Sequence, residues 1–311
     1  MTGTVLEEQA WRALQAAHAD RADAATAAHR DRRSDGRRHP VEDFLFTYYP
    51  FSAGRLRRWH PGAGVRLEGA AGTERAGWRH HRTVGDAVEL DTTAYLADRG
   101  RTVAFVRRLV SATAARPAQL GCFGLHEWAM VYRQREEEVR HSGWPLRLGP
   151  AGTDELVESL RIRCTHFDAF RFYTPPARPL NVLQPTRETQ VALEQPGCLH
   201  AGMDLYKWCM KLGPAVPGDL TLDAFDLARE IRELDMRASP YDLRELGYDP
   251  VPVETPAGRA EYAAAQRAFA DRGQALRQRL LHALDRLGDG GRAGTGRSLD
   301  TTTATTSGAV G

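Results

Sequence analysis

Four short segments of this chain each set a histidine beside a carboxylate. They are His39 and Asp43 in HPVEDF, His126 and Glu127 in GLHEWAM, His166 and Asp168 in CTHFDAF, and His200 and Asp204 in CLHAGMDLYKW. An imidazole with a carboxylate can move a proton, orient a water, or supply the nitrogen and oxygen donors that a transition metal takes. Positions four apart share one face of a helix, so His39 with Asp43 and His200 with Asp204 can each act as a pair. His166 and Asp168 point the same way if their segment is extended. One such pair alone is most often a hydrogen-bonded core histidine. Four of one kind, each wrapped in rings such as Phe44, Tyr48, Tyr49, Trp128, Phe170, Phe172, Tyr206 and Trp208, point instead to a common polar cavity with little water in it.

Two further stretches carry weaker signals. LQPTRETQ holds Gln184, Arg187, Glu188 and Gln190 behind Thr186, a helix-capping residue. In IRELDMRASPYD, Glu233 and Arg237 have the spacing of a solvated helical face. Asp235 and Asp242 are of more interest, because Ser239 and Pro240 stop the helix there and can aim them at a cavity.

The elements that must position these groups are mostly helical. Apolar spacing predicts an amphipathic helix from residue 6 to about 34, broken at Gly36 and Pro40, then a short helix over VEDFLFTYY. Residues 57–90 read as loops with one or two short strands. A helix over residues 92–116, capped by Thr92 or Thr93, follows, and another spans GLHEWAMVYRQREEEVRH. The Pro- and Gly-rich residues 142–200 read as a long irregular connection with a possible strand at Arg161 to Thr165. Three helices, near 199–212, 219–237 and 257–287, close the fold. The expectation is a mainly α protein, a single helical catalytic domain over residues 1–288 with a minor irregular or β segment. A low-complexity tail over residues 289–311 is expected to be disordered.

Composition excludes more than it selects. Hydrophobic residues at 42% and charged residues at 26% match a globular protein, and no run reaches the roughly 20 apolar residues a membrane span needs. No signal-peptide pattern opens the chain, so a cytoplasmic location and no membrane partner are expected. Four dispersed cysteines without a CxxC pair disfavour a zinc knuckle or a disulfide framework. Of 42 basic residues only Lys207 and Lys211 are lysines, and a net charge of +2 neither requires nor excludes a nucleic-acid partner. Phosphate-loop, zincin and serine-elbow motifs do not occur.

The strings HPVEDFLFTYYPF, RRWHPG, GCFGLHEWAMVYR, THFDAFRFYTP, LQPTRETQ, EQPGCLHAGMDLYKW and AREIRELDMRASPYDL resemble an actinobacterial family named 3-methyladenine DNA glycosylase, over about Ala10 to Leu287. That resemblance implies a DNA-repair hydrolase that excises alkylated purines from damaged DNA and needs no cofactor. Under it, Tyr48, Tyr49, Phe170 or Trp208 stack the flipped cationic base. Asp43, Asp168 or Asp204, with Glu127, His166 and His200 as further catalytic candidates, stabilise charge on the sugar and position water. Arg58, with Arg55 and Arg57, contacts phosphate. Neither a helix-hairpin-helix with its following aspartate nor a basic repeat surface is present. The alternative is a metal-dependent helical enzyme of the non-haem iron or manganese kind, with His39, His126, His166 and His200 as ligands. An Arg-rich, non-enzymatic nucleic-acid-binding module is a third reading.

Overall fold

The computed structural model describes residues 4–135 and 143–289. The protein is mainly α, with eleven α-helices among the described residues and one small sheet. All of the expected tail over 289–311 except Asp289, which ends the last helix, and residues 136–141 of the expected helix lie outside the described residues.

Helix α1 (Glu8–Ser34) buries Trp11, His18, Ala22 and Thr26, one stripe at helical spacing, as an amphipathic helix should. Short helices α2 (Phe44–Tyr48) and α3 (Ala53–Arg57) follow. The sheet holds β1 (Thr4–Leu6), β2 (Val65–Leu67), β3 (His81–Val84) and β4 (Ala87–Leu90), in the order β1-β2-β4-β3. β1 runs parallel to β2, and the β3/β4 hairpin turns through Gly85 at φ +65°, where a two-residue loop needs a positive φ. Local pattern anticipated one or two strands and none before α1. Three strands fall within 57–90, and β1 arises from pairing across some sixty residues, Thr4 with Val65, which local pattern cannot show.

Helix α4 (Thr92–Ala114) is capped by Asp91, whose side chain accepts from the Ala94 amide at 2.9 Å, rather than by Thr92 or Thr93. Helix α5 is only Leu125–Ala129, far shorter than expected. Thr174 takes its continuation away: the Thr174 amide donates to the Ala129 carbonyl and its hydroxyl to the Tyr132 carbonyl, acceptors that another helical turn would have used. The Pro- and Gly-rich connection carries helices α6 (Gly149–Ser159), α7 (Phe167–Phe170) and α8 (Gln190–Leu193). The strand expected at Arg161 to Thr165 reduces to one bridge between Ile162 and Asn181.

The last three helices fall almost where the apolar spacing put them: α9 (Leu199–Leu212), α10 (Gly218–Arg237) and α11 (Pro256–Asp289). Every residue of α9 except Lys211 is buried, enclosed by α4, α10 and α11. Gly202 lets α10 lie close, since a Cβ there would meet Ile231 Cδ1 at 2.8 Å. One turn beyond Ile231, Asp235 is thereby brought against the polar face of α9. No helix among the described residues is long and apolar enough to cross a membrane.

Candidate metal centre

A helix buried on all sides has no solvent to satisfy its polar side chains, so His200, Asp204 and Lys207 must find partners inside. Spacings of four and three place all three along one face of α9.

His200 meets His126 of α5 and Asp235 of α10, their donor atoms all within 4.8 Å of one another. The His126 and His200 rings are edge to face with centroids 4.5 Å apart. His126 Nε2 and Asp235 Oδ1 are 3.0 Å apart, yet the approach is off axis and neither atom completes a hydrogen bond. Both are buried, Asp235 to 0% exposure. Its other oxygen accepts from Arg232 Nη1 at 3.3 Å, and the same nitrogen donates to Glu127 Oε1 at 3.1 Å. The Arg232 guanidinium lies 3.9 Å over the Phe44 ring.

Electrostatics sharpen the picture. Burial, and then the charge of His126, hold His200 well below its ordinary pKa, so its ring is neutral with a lone pair to offer. Burial pulls His126 down, but the Asp235 carboxylate more than offsets it and raises the ring. Burial would raise Asp235, and the His126 charge overrides it and keeps the carboxylate ionised.

A second triad adjoins the first. His166, Glu194 and Asp204 also bring their donor atoms within 4.8 Å, and the His166 and His200 rings stack at 5.3 Å. Here the carboxylates are engaged, although His166 Nδ1 is buried without a partner. Tyr49 Oη donates to Asp204 Oδ1 at 2.8 Å, His166 Nε2 lies 3.3 Å from Asp204 Oδ2, and Gln190 Nε2 donates to Glu194 Oε1 at 2.6 Å. Lys207 Nζ hydrogen-bonds Asp204 Oδ2 and lies 3.5 Å from Asp168 Oδ2.

A cavity of about 550 Å³ adjoins the first triad at His200, and its wall takes His39, Asp43, Glu127, Asp168 and His200 from all four histidine-carboxylate segments. Phe44, Tyr48, Trp144 and Phe172 are its rings. That volume is ordinary for a small-molecule site.

The individual residues divide sharply. His126, His166, His200 and Asp204 come together in the buried triads, while Glu127 and Asp168 line the cavity together with His200. His166 and Asp168 do not share a direction, because the segment turns into α7 at Phe167 instead of running extended. His39 lines the cavity but belongs to neither triad; its Nδ1 accepts from the Val41 and Glu42 amides. Of the stacking candidates only Tyr48 lines the cavity. Tyr49 is buried against Asp204, Phe170 packs on Tyr173, and Trp208 packs on Phe105 in the core. Arg58 lies elsewhere, over Trp78 in a basic cleft with Arg55, Arg99 and Lys211. Asp242 pairs with Arg244 at the surface.

Sequence reasoning passed over Glu194, Lys207 and Arg232 and left Asp235 without a partner. Lys207 carried a signal all the same: it is one of two lysines in the chain and stands three residues from Asp204. The four cysteines are free thiols; burial raises the pKa of each, which makes them poor nucleophiles.

Asp43 is tied down rather than poised to react. Arg32 reaches it at 2.7 Å, His29 at 2.9 Å and the His39 amide at 2.8 Å. Burial would raise its pKa, but these donors bring it below the ordinary 3.8. A depressed carboxylate stabilises the fold in full above its unfolded pKa and loses that contribution as pH falls through the folded one. Asp43→Asn is therefore expected to lower stability at pH 7 by about 1–3 kcal/mol and to flatten the loss of stability below about pH 4, read by urea unfolding at a series of pH values. An unchanged pH profile would show that Asp43 contributes nothing through its charge.

No family model matches this chain, and no curated protein or solved structure does so either.

Proposed function

We propose that this chain is a metal-dependent enzyme in which His126, His200 and Asp235 hold one divalent transition-metal ion, iron(II) or manganese(II) by donor type, beside the 550 Å³ cavity that His200 lines. The observation that carries this reading is the convergence of two imidazoles and a carboxylate, all three buried, with their donor atoms within 4.8 Å of one another and His126 Nε2 only 3.0 Å from Asp235 Oδ1. Two imidazole nitrogens and one carboxylate oxygen form a ligand set that leaves positions open for substrate. When bound, such an ion supplies Lewis-acid or redox chemistry at those positions.

The protein's own groups have definable tasks around it. Arg232 fixes the second oxygen of Asp235, which orients the first. Phe44, Tyr48, Trp144 and Phe172 exclude water and present flat apolar faces to a substrate ring. Asp168, within reach of Lys207, is the cavity carboxylate placed to exchange a proton with bound substrate. The test is elemental analysis of protein prepared without chelator and supplied with iron(II) or manganese(II). Retention of one ion per chain after desalting is expected, and retention of none would overturn the assignment.

A second reading draws on the glycosylase-family resemblance and on one feature of the same cavity. Phe44 and Tyr48 are stacked at 5.0 Å beside Asp168, and the space exceeds that of a purine base. An N3-alkylated adenine is a cation and a good leaving group, so stacking and a nearby carboxylate could suffice to release it. Release of free 3-methyladenine from alkylated duplex by chelator-treated protein, lost in Asp168→Asn, would put this reading ahead of the first.

A further inference from the structure

Two triads side by side would ordinarily suggest two metal ions. We infer instead that the centre is mononuclear, because the Lys207 ammonium is the resident cation of the second triad. This rests on the metal reading of His126, His200 and Asp235.

The two triads differ in how their donors are spent. In the first, His126 Nε2 and Asp235 Oδ1 are buried without hydrogen-bond partners. In the second, Asp204 carries Tyr49 on one oxygen and both Lys207 and His166 on the other, and Glu194 holds Gln190. An ion entering there would have to displace those donors and then face a buried ammonium, which low local dielectric makes strongly unfavourable. Lys207 is held in place from several sides. Asp204 and Asp168 lie on its charge, and the Trp208 ring is 4.4 Å from Nζ.

The spacing between the triads agrees. Ions that act as a pair sit about 3.5–4 Å apart and share a bridging carboxylate. Here no carboxylate belongs to both triads, and the group between them is the His200 ring, with centroids 4.5 Å from His126 and 5.3 Å from His166. An ammonium in place of the second ion balances Asp204, while Asp168 has Arg171 at 3.5 Å as well, and a lysine proton is left beside the cavity wall.

Titration with manganese(II) chloride, followed by desalting, elemental analysis and electron paramagnetic resonance, tests this. The wild type is expected to hold one manganese with a mononuclear six-line signal. Lys207→Gln, which removes the charge, is expected to hold two, a twofold rise, while Lys207→Arg stays at one. If Lys207→Gln does not fold without metal, it is refolded against increasing manganese, and recovery is expected to need two equivalents. Two ions in the wild type, or one in the wild type and still one in Lys207→Gln, would overturn the assignment. No ion in the wild type with one in Lys207→Gln would refute the first triad as a metal site while upholding Lys207 as the cation of the second. None in either would refute both.

Discussion

His200→Phe is expected to cost the protein its metal while sparing its fold. His200 makes no hydrogen bond among the described residues; its contacts are ring contacts with His126 and His166. Phenylalanine keeps a flat ring in that space and removes only the nitrogen donors. A ring-for-ring exchange in a core typically costs under about 1.5 kcal/mol, so the unfolding midpoint of the metal-free protein should move little. Loss of one ligand from a set of three should lower affinity on the order of 100-fold or more, given that a full ligand set contributes some 10 kcal/mol. Isothermal titration with manganese(II), beside thermal melts in chelator, reads both. If His200 is only a well-packed core residue, the substitution will leave metal retention where it was.

Arg232→Met is expected to give the largest loss of stability in this molecule. Arg232 is 2% exposed and, among the described residues, its guanidinium is the only cation within ion-pair distance of Glu127 other than His126, which is 4.0 Å away. It also holds Asp235. Methionine fills similar volume and keeps contact with Phe44, but it leaves two buried carboxylates short of a counter-charge. Breaking a buried ion pair by removing one partner typically costs about 3–5 kcal/mol. Urea unfolding in chelator should show a loss of that size, and Glu127→Gln in the same chain should recover part of it, because one of the stranded charges is then gone. Bound manganese should shrink the deficit as well, by neutralising Asp235. A loss under about 1 kcal/mol would mean that water, rather than Arg232, solvates these groups.

Local spacing made much of this arrangement legible. The four-residue separation of His200 and Asp204 placed them on one face of a helix whose ends the apolar pattern located closely. The recurrence of histidine with carboxylate in four segments pointed to a shared hollow, and His39, Asp43, Glu127, Asp168 and His200 do line one cavity. What local pattern could not supply is which nitrogen meets which oxygen. His200 takes Asp235 and His126, not its own helical neighbour Asp204, because the close approach of α10 at Gly202 brings Asp235 alongside. Glu194 sits in the Pro- and Gly-rich connection just ahead of α9 and Arg232 in a stretch that reads as a charged helical face, and only tertiary burial changes their meaning. The same holds for the stacking candidates: Tyr49, Phe170 and Trp208 are aromatic residues next to the right motifs, but their rings fill the core and leave Tyr48 to face the cavity.

Anomalous diffraction from crystals grown with manganese(II) addresses the central claim most directly. A single strong peak is expected within bonding distance of His126 Nε2, the His200 ring and Asp235 Oδ1, with Lys207 still seated on Asp204. Density there showing an ordinary His126-to-Asp235 hydrogen bond and no peak, or a peak only at surface carboxylates, would contradict it.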